Sequence, residues 1–129
     1  MLVGIALMEF TIFASAADLD VRAVSRAEEV RIEILEGEHA IFCPVESDAS
    51  LFVIQPQGRT PVIYKHYERE NSRFSLSGGS APGLGLTESW KRITPDLWER
   101  TVSVTASADG RYYLDMAWKT TPEGDYYSY

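Results

Sequence analysis

The segment Glu29-Val30-Arg31-Ile32-Glu33-Ile34 sets charged and β-branched residues in strict alternation. A period of two places one kind of side chain on each face of an extended strand, whereas a helix would scatter the same residues around its circumference. The pattern predicts a half-buried strand, turned by Glu36-Gly37-Glu38. Residues 39–43 read as a second strand stopped by Pro44, 51–55 as a third, and 61–66 as a fourth. A short fifth covers 73–76, residues 100–105 alternate again, and 112–116 follow the turn signal Ala108-Asp109-Gly110. Short strands separated by turn signals, with no amphipathic helix between them, predict an all-β chain folded as an antiparallel β-sandwich. Residues 77–85, rich in glycine and serine, read as a mobile loop or insertion.

With 129 residues, 45% of them hydrophobic, the chain can bury the core of one domain. Its formal net charge of −7 argues against a nucleic-acid partner, which requires a basic face to displace counterions from phosphate. The apolar run 2–13 leads into Ala14-Ser15-Ala16, the small-x-small form of a signal-peptidase site. Residues 1–16 are therefore expected to be a signal peptide, 17–28 an N-terminal segment and 29–129 the folded domain. Glu9 interrupts the run and no basic residue precedes it, so the alternatives are a buried N-terminal strand or helix, or a fragment that begins out of frame with a true start. No later stretch approaches the roughly 18 apolar residues of a bilayer span. The domain is expected to be secreted or extracellular, with any membrane attachment supplied by a segment outside this sequence.

Four stretches, Gly37-x-x-x-Ile41-x-Cys43, residues 52–61, Arg73-Phe74-Ser75, and Val102-x-Val104 followed by 109–114, taken in order resemble an immunoglobulin-superfamily domain of the variable (V-set) type. Gly37-x-x-x-Ile41-x-Cys43 is similar to the second strand of such domains, and 52–61 resembles their W-Y-R-Q-x-P-G-K-x-P segment, with Phe52 at the core tryptophan position. Arg73-Phe74-Ser75 is similar to the R-F-S opening the fourth strand. Val102-x-Val104 followed by Asp109-Gly110-Arg111-Tyr112-Tyr113-Leu114 resembles L-x-I…D-x-G-x-Y-x-C. The resemblance implies a core of Ile41, Cys43, Phe52, Val102, Val104, Tyr112 and Leu114. Tyr112 would stand at the tyrosine corner, and Gln55-Pro56-Gln57-Gly58-Arg59-Thr60-Pro61 would turn strand C into C′, with Gly58 supplying a positive φ. It also implies a homo- or heterodimer through the C–C′–F face.

The sequence departs from that pattern in three places. Cys43 is the sole cysteine and Leu114 stands where its partner would be, so the intradomain disulfide, worth about 3–4 kcal/mol for such a loop, is lacking. Cys43 then reads as a buried thiol or as a bridge to another chain. Asp109 lies one place later than the usual acid. No F-G-x-G follows strand F, so the last strand is missing or improvised from 125–129. The segment 118–129 falls where the F–G recognition loop would lie. Trp118, Tyr126, Tyr127 and Tyr129 are the candidate partner-binding residues, since tyrosine offers wide amphipathic contact at low entropic cost. A frayed polar tail is the plainer reading.

No catalytic, cofactor-binding or metal-binding set emerges. His39 and His66 have no neighbouring ligands at metal spacing, no nucleophile or phosphate motif occurs, and Asn71, the one asparagine, heads no glycosylation sequon. The expectation is a non-enzymatic recognition domain that binds a protein ligand or receptor, in adhesion or immunity. Two alternatives stand beside it. One is the first ectodomain of a receptor similar to the interleukin-1 receptors, on Gly37-Glu38…Cys43-Pro44 and Asp96-Leu97-Trp98. The other is a structural β-sandwich module with no immune role.

Overall fold

The computed structural model describes residues 4–13, 19–44 and 49–120. Among these residues every regular element is a strand: β1 (Gly4–Phe13), β2 (Leu19–Arg26), β3 (Glu29–Glu36), β4 (His39–Pro44), β5 (Leu51–Gln55), β6 (Gly58–Pro61), β7 (His66–Glu70), β8 (Arg73–Ala81), β9 (Leu84–Thr94), β10 (Leu97–Ala106), β11 (Tyr113–Met116) and β12 (Trp118–Thr120). They form a five-stranded sheet β1-β10-β9-β8-β7, a four-stranded sheet β12-β4-β3-β2 and a three-stranded sheet β11-β5-β6. All pairings are antiparallel. The all-β, antiparallel expectation therefore holds at this level, and the arrangement is compatible with a sandwich.

Alternation builds each inner face. Val30, Ile32 and Ile34 of β3 are buried while the charged residues between them are only partly covered. On β10, Trp98, Arg100, Val102 and Val104 point inward; on β9, Leu86, Glu88 and Trp90 do so. Inner faces of all three sheets meet in one core that includes Leu19, Ile41, Val53, Phe74, Trp90 and Val102. Phe74 stacks near-parallel to Trp90, ring centroids 6.1 Å apart. The sheets are also tied by backbone: the Leu19 carbonyl accepts from Trp98 Nε1 at 2.9 Å and from Arg92 Nη2 at 2.6 Å, and Val30 N donates to Tyr64 O at 2.9 Å.

Several elements differ from the sequence reading. The run expected as a leader supplies β1, which pairs with β10 over its whole length; the cleavage-like triplet 14–16 lies outside the described residues. Within the expected N-terminal segment, β2 forms a hairpin with β3 through Ala27 and Glu28, both at positive φ (51° and 68°). Two such residues make the tight turn whose twist suits a hairpin, a conformation normally signalled by glycine or asparagine. The turn after β5 is present, with Gly58 at φ 146°, but it is shorter than the expected 55–61: Arg59, Thr60 and Pro61 already pair with β5, so the strand it opens is 58–61 rather than 61–66.

The glycine-rich stretch is not a mobile insertion. It forms the end of β8, a tight turn at Pro82-Gly83 and the start of β9. β8 bulges between Leu76 and Gly79, with Gly78 at φ 83°. A Cβ on Gly79 would lie 2.8 Å from Tyr64 Cε1 and 2.9 Å from Val62 Cγ1. The glycine thus lets the Tyr64 ring lie flush against β8. Gly85, in contrast, has open space around it. Gly79→Ala should lower unfolding free energy by about 1–3 kcal/mol through overpacking, and Gly85→Ala should change it by under about 0.5 kcal/mol. Urea melts of the two variants check the difference.

Candidate functional site

The three-stranded sheet presents a distinctive outer face. Register sets Tyr113, Ile54 and Arg59 side by side across β11, β5 and β6, and sets Asp115, Phe52 and Pro61 in the row two residues further on. Leu51 and Val53, at the intervening positions of β5, belong to the core, so these two rows lie on the other side of the sheet, where Phe52 is nonetheless fully buried. Tyr113 is 68% exposed and Ile54 37%. The Arg59 guanidinium lies 3.7 Å from the centroid of the Phe52 ring, and Arg59 Nη2 meets Asp115 Oδ2 at 3.4 Å. The ion pair is exposed and contributes at most about 1 kcal/mol; stacking on Phe52 adds a comparable amount and holds the arginine flat. The face therefore combines an exposed aromatic, an aliphatic and a fixed charge pair.

At one end of this sheet three turns converge. Gln55 Nε2 donates to the Pro82 carbonyl at 2.8 Å, joining the β5–β6 turn to the β8–β9 turn. With the segment between β10 and β11 they line a cleft of about 250 Å³ whose walls include Gln57, Asp109, Arg111 and Tyr112. A wider, open groove of about 500 Å³ runs over the five-stranded sheet, edged by His66 and Glu68 and floored by Ser75, Ser89, Thr101 and Ser103. Among the described residues no group of three His, Cys, Asp or Glu side chains is placed to hold a metal ion.

No family model, curated protein or solved structure matches the chain.

Beneath the face lies a buried polar network. Glu88 and Arg100 are both shielded from solvent, with Arg100 Nε 2.8 Å from Glu88 Oε2 and Nη2 3.0 Å from Oε1. Tyr64 OH donates to Oε1 at 2.9 Å and Trp90 Nε1 to Oε2 at 2.6 Å. The carboxylate thus accepts four hydrogen bonds, which offsets the loss of its hydration. Arg100 Nη2 also donates to Ser50 Oγ at 3.1 Å, and Ser50 O accepts from Ala117 N at 3.0 Å. Arg100 Nη1 has no oxygen acceptor. The guanidinium carbon instead lies 5.0 Å from the Trp90 ring centroid and 5.6 Å from that of Trp118, so indole faces supply its remaining attraction.

The sequence-predicted residues are distributed as follows. Ile41, Val102 and Val104 lie in the shared core, and Tyr112 and Leu114 are half-buried against it. Cys43 and Phe52 are buried but outside that cluster. The Cys43 thiol is unpaired and faces the Lys119 carbonyl at 3.9 Å, while Leu114 stands opposite Val53 in another sheet. Trp118, expected in a recognition loop, sits on β12, half-buried and edge-on to Trp90 at 6.2 Å. Tyr126, Tyr127 and Tyr129 lie outside the described residues. Sequence reasoning passed over Glu88, Tyr64, Trp90 and Ser50. The available signal was parity, since Glu88 shares its face of β9 with Leu86 and Trp90, and Arg100 shares its face of β10 with Val102 and Val104.

Tyr64 yields a pH test. Burial first, then the negative charge of Glu88, hold its hydroxyl well above the usual tyrosine value of 10.0. The unfolded chain therefore releases this proton at lower pH than the folded one. Its contribution to stability is full below pH 10 and shrinks as pH rises beyond it, by about 1.4 kcal/mol per pH unit. Tyr64→Phe removes that component. The variant should lose about 0.5–1.5 kcal/mol at neutral pH, and its stability should fall less steeply than wild type above pH 10 in denaturant titrations.

Proposed function

We propose that the chain is a non-enzymatic recognition domain that binds another protein through the outer face of the β11-β5-β6 sheet. The observation that carries this reading is the exposed row Tyr113–Ile54–Arg59, backed by Asp115 and Phe52. Tyrosine and arginine are the side chains that anchor protein interfaces most often, and an apolar neighbour between them supplies a surface that dehydrates readily. The Arg59–Phe52 stack fixes the guanidinium before any partner arrives, which lowers the entropy lost on binding. The cleft at Gln57, Asp109, Arg111 and Tyr112 continues the surface with polar groups at its rim.

The finer reading is a variable-type immunoglobulin-like domain acting on the extracellular side. Its support is the β5–β6 hairpin turned at Gly58 and the pairing of β5 with β11, which match the C, C′ and F strands of that plan. Its extracellular placement is what that family plan implies. In two respects the chain stands apart from the plan: β4, at the B-strand position, lies between β3 and β12 and not beside β10, the E-strand position, and β9 separates β10 from β8, the D-strand position.

The test is differential capture. Wild type and the double variant Ile54→Asp/Tyr113→Ala are immobilised at equal density and exposed to the same extracellular protein mixture, with circular dichroism as the check on folding. A partner should be retained by wild type and lost from the variant, with affinity reduced at least about thirtyfold, as for a central anchor. Identical retention on both surfaces would exclude this face.

A further inference from the structure

The five-stranded sheet ends on two unlike edges. At one end β7 is five residues long, exposed throughout, and bears Glu68, Arg69 and Glu70. Short, charged edges of this kind discourage further strand pairing. At the other end β1 is ten residues long and holds β10 in unbroken register from Gly4↔Ala106 to Phe13↔Leu97. Among the described residues no strand lies on its outer side. Its sequence, GIALMEFTIF, contains one charged residue and no proline, and Ile5 and Leu7 are 72% and 68% exposed. The N–H and C=O groups along that outer side are an open row of donors and acceptors, the feature that proteins use for strand addition.

We propose that this edge pairs with β1 of a second copy of the chain, antiparallel, about a two-fold axis perpendicular to the sheet. The occupant follows from the edges available. β2, the next longest strand with a free side, carries Asp20, Arg22 and Arg26, while β6, β11 and β12 have four, four and three residues. Only β1 offers an edge as long and as sparsely charged as itself. A two-fold operation sets the two copies antiparallel without any change of fold and satisfies both open edges in one step. The assembly then closes as a dimer, since no β1 edge remains to recruit a third chain. The net charge of −7 on each copy opposes approach, so added salt should tighten the dimer by screening that repulsion. This interface is separate from the β11-β5-β6 face and leaves it open to a partner.

Sedimentation equilibrium of the full 129-residue chain is the test. Wild type should give twice the 14.5 kDa chain mass, with a tighter dimer at about 0.5 M than at about 0.05 M salt. Leu7→Lys and Ile5→Lys, each occurring twice across the axis, should raise the dimer dissociation constant at least about tenfold. Tyr113→Ala should leave the dimer unchanged, which separates this interface from the recognition face. As a measurement independent of any variant, amide hydrogen exchange along 4–13 should slow as wild-type concentration rises. A monomeric mass at all concentrations, a ladder of larger species, or a dimer indifferent to whichever lysine variant folds would overturn the proposal.

Discussion

Glu88 and Arg100 hold the rest of the structure to account. Both sit on inward positions of neighbouring strands, shielded from water. Either charge alone would carry a desolvation penalty of several kcal/mol that no hydrophobic contact can relieve. Together, with Tyr64 and Trp90 completing the carboxylate's hydrogen bonds, they become tolerable. The arrangement exists in one register only: a slip of one residue between β9 and β10 would turn the inward set of one strand outward, Leu86 and Trp90 or Val102 and Val104, and put the two charges on opposite faces. Buried ionic groups of this kind contribute little net stability compared with an apolar core of equal volume. Their effect here is to make one pairing of β9 with β10 far better than its neighbours.

From that pair the constraint spreads to the outer face of the β11-β5-β6 sheet. Arg100 reaches Ser50 at the entrance to β5, Ser50 accepts from Ala117 between β11 and β12, and the Arg100 guanidinium lies against Trp118 of β12. Tyr64, which follows β6, reaches Glu88 because Gly79 gives its ring room. All three sheets are therefore referred to one buried carboxylate. The outer row Tyr113–Ile54–Arg59 gains a rigid foundation from this, and rigidity in a binding surface translates into less ordering entropy lost on contact.

Legibility in the sequence followed the agreement between local pattern and environment. β3 and β10 alternate plainly, and both were read correctly in type and place, as was the turn at Gly58. β9 was missed because Glu88 occupies an inward position and breaks the apolar period that marks a strand; only its neighbours across the core explain it. The β2–β3 turn was missed because Ala27 and Glu28 adopt a conformation that neither favours intrinsically, imposed by eight paired residues on either side. The glycines of β8 imitate a loop in composition, yet one serves a bulge and another a close approach to Tyr64. As for the proposed recognition face, Tyr113 and Ile54 are far apart in sequence, and only the β5–β11 register makes them neighbours.

A double-mutant cycle at Glu88 and Arg100 tests the account most directly. Glu88→Leu and Arg100→Leu are measured singly and together by urea unfolding at neutral pH. Each single change strands a buried charge and should cost about 3–5 kcal/mol, while the double change should cost less than either, because removing the second charge relieves the first. Additive losses, or single variants within about 1 kcal/mol of wild type, would mean that the two residues act independently or near water, and the coupling of the three sheets through them would be refuted.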